Sequence, residues 1–260
     1  MEISVYISGS DGNMSRIKGN NTTFFIDCGF KSQRDMHTKL KQTDNVTTSD
    51  IKYLFITHAH PDHVNSLKPI LASNSLVRIF TTKEILDDIL YKEKIEFSKI
   101  ANRVEYIEAG KTYSLLDLTY DVVEVSHDIG CIGFVFHIDN RKIAYITDCG
   151  VFPKVDYKLI EDSDVYMLEA NYNPYLLSCS PYSEALKRRI MSPTGHLSNL
   201  EAVSIINKVV KKKCIWIALH ISENSNSEEM IETDVVNNIE RPDLVELVLT
   251  SHTNPVKVSL

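Results

Sequence analysis

Four side chains of types that commonly bind metal ions fall within the segment HAHPDH at residues 58–63. His58 and His60 are two residues apart in what reads as extended chain, so both imidazoles can project to one side and share a metal ion. Asp62 and His63 follow a proline that suits the first turn of a helix, so they can face a second ion. With nine histidines in 260 residues, a chance cluster of three beside an aspartate would be rare. The segment therefore predicts a metallohydrolase.

The elements around this segment form a strand-to-helix loop. The apolar run at 51–57 predicts a buried strand before it, and a helical pattern at 64–72 follows. Further strands are predicted at 2–8, 22–27, 77–82, 103–108, 118–126, 131–138, 141–147, 164–169, 214–219 and 244–250, and helices at 83–93, 182–190, 199–213 and 227–239. The pattern predicts two β-sheets packed together with helices outside.

Composition narrows the class of protein. Hydrophobic residues make up 43% and charged residues 24%, and no apolar run approaches the ~20 residues needed to cross a bilayer. The N-terminus reads as a strand and not as a signal peptide, which predicts a cytoplasmic protein without a membrane partner. The five cysteines form no CxxC pair and fit neither a disulfide framework nor a thiolate zinc site. The net charge of −7 means that nucleic-acid binding would need a local basic patch.

Three more candidate ligands, His127, Asp148 and His220, each follow an apolar strand. Singly, each could be a capping or core residue, but strand ends commonly carry functional groups, and the shared context favours metal binding. His137 lacks this context and is assigned no role. Cys149 neighbours Asp148 on a strand, so its side chain should point to the opposite face and pack behind the site.

Together these features resemble the metallo-β-lactamase superfamily, whose motifs occur here in order, beginning with Asp27 after a strand. The resemblance implies an α/β (α+β) fold, a four-layer αββα sandwich of two mixed β-sheets flanked by helices, in one domain over residues 1–260. Asp27 would brace the loop by hydrogen bonding, although an ordinary turn aspartate remains an alternative. The ligands implied by the resemblance are His58, His60 and His127 for one metal, Asp62, His63 and His220 for the other, and Asp148 as a bridge.

The same resemblance implies two divalent metal ions, zinc or manganese with iron possible, and hydrolysis by a metal-bridging hydroxide with Asp62 at the catalytic centre. Three segments further resemble the YycJ/WalJ-type branch, which is related to ribonuclease Z and to PhnP-type phosphodiesterases. They are EANY at 169–172, LKRRI at 186–190 and GHLSN at 195–199. That branch is associated with five-prime to three-prime exonuclease action on DNA, so the implied partner is DNA with an accessible five-prime end.

By this resemblance Glu169 would orient His196 as a phosphate ligand or proton donor. A helix that opens at Ser198 or Asn199 would leave backbone N–H groups for a phosphate, and a plain N-cap remains the alternative. Lys211, Lys212 and Lys213 are interpreted as a solvated run at a helix end. The remaining predicted substrate contacts are Lys187, Arg188 and Arg189.

Two other functions stay open. The first is hydrolysis of a small cyclic phosphodiester, ester or lactone, and the second is iron-dependent oxidation. The oxidoreductase is less favoured because diiron members of the superfamily usually carry Glu where His60 stands. The span between Asp148 and His220 reads as core-like segments, which leaves no room for a β-CASP cap, and no tRNA-binding arm is visible.

Overall fold

Two seven-stranded β-sheets, each mixed in strand direction, organise the chain in a computed structural model that describes all 260 residues. The chain divides into two compact units, residues 1–119 with 251–260 and residues 120–250. The single domain expected from the sequence stays a prediction. None of the helices combines the length and the apolar character that crossing a membrane would require.

The first sheet brings the ends of parallel strands to one edge. Its strands are β1 (Glu2–Ile7), β2 (Met14–Lys18), β3 (Thr23–Ile26), β4 (Tyr53–Phe55), β5 (Arg78–Thr81), β6 (Val104–Tyr106) and β14 (Val256–Ser259), in the order β14-β1-β2-β3-β4-β5-β6. Its unit also contains α1 (Gln33–Asp44), α2 (Pro61–Val64), α3 (Leu67–Ser73) and α4 (Lys83–Glu93). Strands β3 and β4 pair in parallel, with Ile26 opposite Phe55, so Asp27 and the loop that follows β4 leave the sheet at the same edge.

The second sheet also brings the ends of parallel strands to one edge. Its strands are β7 (Thr112–Leu115), β8 (Leu118–Glu124), β9 (Ile132–Ile138), β10 (Arg141–Ile146), β11 (Val165–Glu169), β12 (Cys214–Leu219) and β13 (Val245–Leu249), in the order β13-β12-β11-β10-β9-β8-β7. The second unit also contains the helices α5 (Tyr157–Ile160), α6 (Pro174–Cys179), α7 (Glu184–Ile190), α8 (Asn199–Val209) and α9 (Glu228–Asn238). Strands β10, β11 and β12 are parallel neighbours, so their carboxyl ends carry Asp148, Glu169 and His220 to one edge.

The core of the second sheet fixes those strand ends. Trp216 on β12 is fully buried, and its indole N–H donates to the carbonyl of Leu168 on β11 at 3.2 Å. Helix α8 presents Val203 and Ile206, three residues apart, to the same apolar cluster. The packing therefore holds neighbouring parallel strands in register up to the residues that follow them.

Several predicted boundaries need correction. The expected helix over 64–72 is two helices, because the chain turns at residues 65–66 between α2 and α3. Helix α8 ends at Val209, four residues before the predicted end at 213, so Lys211 and Lys212 lie beyond the helix. They form ion pairs instead, Lys211 with Glu161 at 3.8 Å and Lys212 with Asp164 at 3.0 Å. The strands β2, β7 and β14 and the helices α1, α5 and α6 were not predicted.

A buried carboxylate links several elements of the first unit. Asp44, at the end of α1, accepts hydrogen bonds from Tyr6 (2.6 Å) and Lys257 (2.9 Å) and pairs with Arg16 (3.2 Å). Burial alone would raise the pKa of Asp44, but these hydrogen bonds and the charge of Arg16 outweigh it, so the pKa is lowered. The carboxylate therefore stabilises the fold at neutral pH, and this contribution is lost as the pH falls below about 4.

We expect Asp44→Ala to lower the free energy of unfolding by about 3 kcal/mol at pH 7, because Arg16 would remain buried without its counter-charge. Urea unfolding at pH 7 and at pH 3 measures this, and the difference between variant and wild type should shrink at the lower pH. Asp243→Ala is the matched control, since Asp243 pairs with Arg241 on the surface. A loss no larger than that of the control would contradict the assignment.

Candidate metal centre

The histidine-rich loop of the first unit brings two ring nitrogens together. His60 caps α2 in an extended backbone conformation, and Pro61 takes the first helical position. His58 Nε2 and His60 Nδ1 lie 3.1 Å apart. Two nitrogens on one tetrahedral zinc ion, each about 2.1 Å from it, are separated by roughly 3.3 Å. The spacing of these two nitrogens therefore fits a shared metal ion.

Asp27 holds the third histidine of this loop. Its fully buried carboxylate accepts a hydrogen bond from His63 Nδ1 at 2.7 Å, and it also accepts one from the backbone N–H of Thr57 at 2.9 Å. A proton on Nδ1 places the lone pair of His63 on Nε2, the nitrogen that lies 3.7 Å from the carboxylate of Asp62. The hydrogen bonds thus orient His63 and tie Asp27 to the start of the loop.

The N-terminal loop also contacts this cluster, which the sequence did not indicate. The Asn13 side-chain nitrogen lies 2.9 Å from His63 Nε2, and the Asn13 backbone N–H donates to the Asp62 carbonyl at 2.7 Å. Gly29 allows this close packing, because a Cβ at that position would stand 1.5 Å from the same carbonyl oxygen. The glycine and the asparagine therefore help to position Asp62 and His63.

In the second unit, Asp148 stands between two histidines. Its Oδ1 lies 3.4 Å from His220 Nε2 and 3.9 Å from His127 Nε2. Asp148 and His220 both have a φ of 52°, in the left-handed region that costs roughly 1–3 kcal/mol for such residues. Backbone strain of this size is typical of functional sites, and here it falls at the residues that follow the ends of β10 and β12.

His127 is held in the neutral form that binds metal. Its Nδ1 donates to the carbonyl of Gly195 at 3.2 Å, which leaves the lone pair on Nε2. Burial lowers the pKa of His127, although the negative charge of Asp148 acts in the opposite direction. The candidate ligands of each unit are imidazoles and carboxylates without thiolate, a donor type that suits zinc, manganese or iron.

Glu169 and His196 form a hydrogen-bonded pair beside Asp148. His196 Nδ1 lies 2.6 Å from Glu169 Oε1, while Glu169 Oε2 accepts from the backbone N–H of Cys149 at 2.7 Å. Burial would raise the pKa of Glu169, but the charge and hydrogen bond of His196, with a further bond from His220, outweigh it and lower the pKa. The buried carboxylate therefore stays ionised and holds the His196 ring through Nδ1.

His196 could by distance be a metal ligand as well. Asp148, His196 and His220 each offer an atom, and these atoms lie within 4.8 Å of one another. The nitrogen of His196 on this side is Nδ1, which is 3.8 Å from Asp148 and already bonded to Glu169. The side chain of His196 is 17% exposed, whereas those of His127 and His220 are 1% and 5% exposed. These contacts favour His196 as the member of the group that meets substrate.

Cys149 packs away from the candidate ligands. Its side chain is fully buried and belongs to the apolar cluster of the second unit. Burial raises the pKa of its thiol well above the usual range, and the charges of Glu169 and Asp148 act in the same direction. The thiol therefore stays protonated and serves as a small apolar core residue.

The basic residues of α7 differ in their freedom to contact substrate. Lys187 donates to the carbonyl of Ser178 at 2.7 Å and pairs with Glu184 at 3.2 Å. Arg189 Nε donates to Asp128 at 2.9 Å. Arg188 is exposed, and it is the one of the three whose charged group has no hydrogen-bond or ion-pair partner within the chain.

Ser198 and Asn199, the two residues predicted to contact substrate at the start of α8, have partners within the chain. Ser198 is the N-cap of α8 and forms a capping box with Glu201. Asn199 is fully buried, and its side-chain amide donates to Asn226 at 3.0 Å and to Asp234 at 2.9 Å. Ser198 is thus an N-cap in the structure, and the contact of both residues with substrate stays a prediction.

Comparison with known proteins supplies an independent line of evidence. The family model described as beta-lactamase superfamily domain matches residues 22–221. The chain is 27% identical over 246 residues to exodeoxyribonuclease WalJ of Streptococcus pneumoniae serotype 2 (strain D39), covering 93% of this chain and 89% of that protein. It is 26% identical over 245 residues to exodeoxyribonuclease YycJ of Bacillus anthracis, covering 90% and 88%.

A solved structure gives the same result for the fold. The metallo-beta-lactamase fold protein YhfI of Bacillus subtilis matches with a TM-score of 0.73 at 13% identity and covers 98% of both chains. At this identity the likeness concerns the fold alone. The expected α/β fold with two mixed sheets and flanking helices is confirmed.

Proposed function

The chain belongs to the beta-lactamase superfamily domain family, and from that membership we propose that it is a two-metal-dependent nuclease that hydrolyses phosphodiester bonds in DNA. The relatives named as exodeoxyribonucleases align with almost the whole chain, which makes this chemistry the first choice. The finer part of the proposal is removal of nucleotides from an accessible five-prime end. The chain is a hydrolase, and its substrate class is inferred from the residues of the candidate site.

The pair of Glu169 and His196 is the observation that most favours a phosphodiester as the substrate. The ionised carboxylate of Glu169 lies 2.6 Å from His196 Nδ1, so it fixes the ring and would stabilise positive charge on that ring while a phosphate is bound. An imidazolium offers both a positive charge for an anionic phosphate and a proton for a departing alkoxide. A neutral ester or lactone would not need the first of these. The geometry of this pair therefore favours phosphate over acyl substrates.

The metal ligands are assigned as the resemblance implies, with zinc as the first choice and manganese or iron as alternatives. When bound, two such ions make water acidic near neutral pH and stabilise the developing charge on a phosphate. The chain's own residues orient the ligands: Asp27 holds His63, and the Gly195 carbonyl holds His127. In this proposal His58, His60 and His127 would hold one ion, Asp62, His63 and His220 would hold the other, and the carboxylate of Asp148 would serve both.

A small phosphodiester is the second candidate substrate. Lys187 and Arg189 are committed to neighbours, so α7 offers a long strand only Arg188. A cyclic phosphodiester would need the metal ligands and the pair of Glu169 and His196 but no extended basic surface. This observation keeps the small-molecule phosphodiesterase as the alternative within the same chemistry.

End-labelled substrates test the proposal directly. Zinc- or manganese-loaded protein is incubated with single- and double-stranded DNA and with RNA of the same sequence, each labelled at either end, and with a cyclic phosphodiester and a lactone. We expect DNA to shorten from its five-prime end, with slower cleavage of RNA. Hydrolysis of the cyclic phosphodiester alone would favour the second candidate. Hydrolysis of the lactone alone would refute phosphodiesterase activity.

A further inference from the structure

A cleft of about 500 Å³ opens on the first unit beside helices α3 and α4, away from the candidate ligands. This volume is in the range of roughly 300–1,000 Å³ found for ligand pockets. Its apolar lining includes Leu71 and Ile100. Its cationic lining consists of Lys68, Lys94, Lys99 and Arg103.

The positive charge of this cleft is mostly unneutralised from within. Glu96 is the one carboxylate among the lining residues, and it pairs with Lys99 at 3.0 Å. Lys68, Lys94 and Arg103 are left without an acidic partner in the lining. The chain as a whole carries a net charge of −7, so this concentration of cations runs against the average of the protein. Such a local field attracts an anion.

Two of these cations sit on fixed backbone or side-chain geometry. Arg103 Nη1 donates to the carbonyls of Leu71 and Asn74, at 3.0 and 3.2 Å, at the end of α3. Lys94 caps α4 with a φ of 50°, and its backbone N–H donates to the carbonyl of Leu90. The guanidinium of Arg103 is therefore already ordered, so a ligand that binds it would cost less side-chain entropy than one that binds a freely moving side chain.

The cleft is connected to the histidine-rich loop through both of its helices. Helix α3, which carries Lys68, follows directly on α2, which contains Asp62 and His63. In the last turn of α4, Lys92 Nζ lies 3.4 Å from the carbonyl oxygen of Ala59, inside the loop. A polymer bound in the cleft would thus lie on the same elements that position the candidate ligands of the first unit.

We propose that this cleft binds the sugar-phosphate backbone of a single-stranded nucleic acid, outside the position of the bond to be cleaved. The inference rests on the proposed nuclease function and names the surface that holds the rest of the strand. Its lysines and arginine match phosphates in charge, and its apolar lining matches a base or sugar. The same segment exposes Tyr91 (86%) and Phe97 (44%), and aromatic side chains beside a basic groove are typical of single-strand binding.

The test compares two variants that each remove two positive charges from the first unit. Lys68→Gln with Lys94→Gln changes the cleft. Lys83→Gln with Lys111→Gln is the control, because these lysines lie outside the cleft and pair with Asp87 and Glu108 on the surface. Binding of the metal-loaded proteins to a fluorescent twelve-nucleotide single strand with phosphorothioate linkages is measured by anisotropy over a series of salt concentrations.

Each lost phosphate contact should reduce the slope of log K against log salt by about 0.7, so the cleft variant should lose about 1.4. At 0.1 M salt this corresponds to about 20-fold weaker binding, with the control near wild type. An unchanged slope in the cleft variant overturns the inference. The inference is also overturned if the cleft variant loses binding of a free mononucleotide but keeps the wild-type affinity for the single strand.

Failure of the proposed function has a different signature. If wild-type protein hydrolyses no phosphodiester at all, the nuclease assignment fails whatever the binding data show. If it hydrolyses them and the cleft variant binds strands with wild-type affinity and slope, the assignment of the cleft alone fails.

Discussion

Replacing Asp148 by alanine should reduce the metal content from two ions per chain to below one and slow phosphodiester hydrolysis by at least about 10³-fold. Asp148 Oδ1 lies within 3.9 Å of both His127 Nε2 and His220 Nε2, the two histidines assigned to different ions. Removing it takes a ligand from each ion at once. The rate follows because charge stabilisation by such ions is worth several kcal/mol, and each 1.36 kcal/mol is tenfold.

Two histidine variants complete this experiment. His127→Ala should remove mainly one ion, since only one is assigned to it. His137→Ala should keep both, because His137 lies on β9 with its Nε2 3.2 Å from Asp121 and has no place among the ligands. Elemental analysis of purified protein decides the matter without an activity assay. Two ions retained in Asp148→Ala would remove the bridging assignment.

The candidate ligands could be predicted from the sequence because they depend on spacing and on strand ends. An apolar run followed by a histidine or an aspartate is visible in the chain, and β12 was predicted over 214–219, as observed. The left-handed backbone at Asp27, Asp148 and His220 was not predictable. Neither residue type demands that conformation, and the surrounding sheets impose it after their strands end.

The elements that escaped prediction lack a strong local pattern. Helix α1 has only Met36, Lys39 and Leu40 buried, so its apolar periodicity is weak. Strand β14 is recognisable only through its pairing with β1, where Val256 lies opposite Val5 at the other end of the chain. Its identity as a strand is therefore a long-range property.

The partners of Asn199 escaped prediction for a related reason. The sequence placed the start of α8 at Ser198 or Asn199, and the structure has Ser198 as the N-cap, in a local capping box with Glu201. The partners of Asn199 are Asn226 and Asp234, far along the chain. A motif can place a residue on an element, but distant partners decide whether its side chain remains available to a ligand.

Removing the imidazole of His196 should slow phosphodiester hydrolysis by about 10²–10⁴-fold and leave both metal ions in place. The reason is that His196 is held through Nδ1 by Glu169 at 2.6 Å, which leaves Nε2 to give a proton to the departing oxygen. Glu169→Gln should act in the same direction, because the amide lacks the negative charge to which His196 Nδ1 is hydrogen-bonded. The two substitutions should not add, since both remove one unit.

Two phosphodiester substrates with different leaving groups separate proton donation from binding. A nucleoside alkoxide needs a proton as it departs, whereas p-nitrophenolate does not. His196→Ala should therefore slow hydrolysis of a p-nitrophenyl phosphodiester by less than about tenfold. Equal slowing of both substrates would assign His196 to binding of the phosphate and not to proton transfer. Unchanged rates on both, with both metal ions retained, would show that the site is not built around a phosphate. The pair of Glu169 and His196 would then be a structural hydrogen bond.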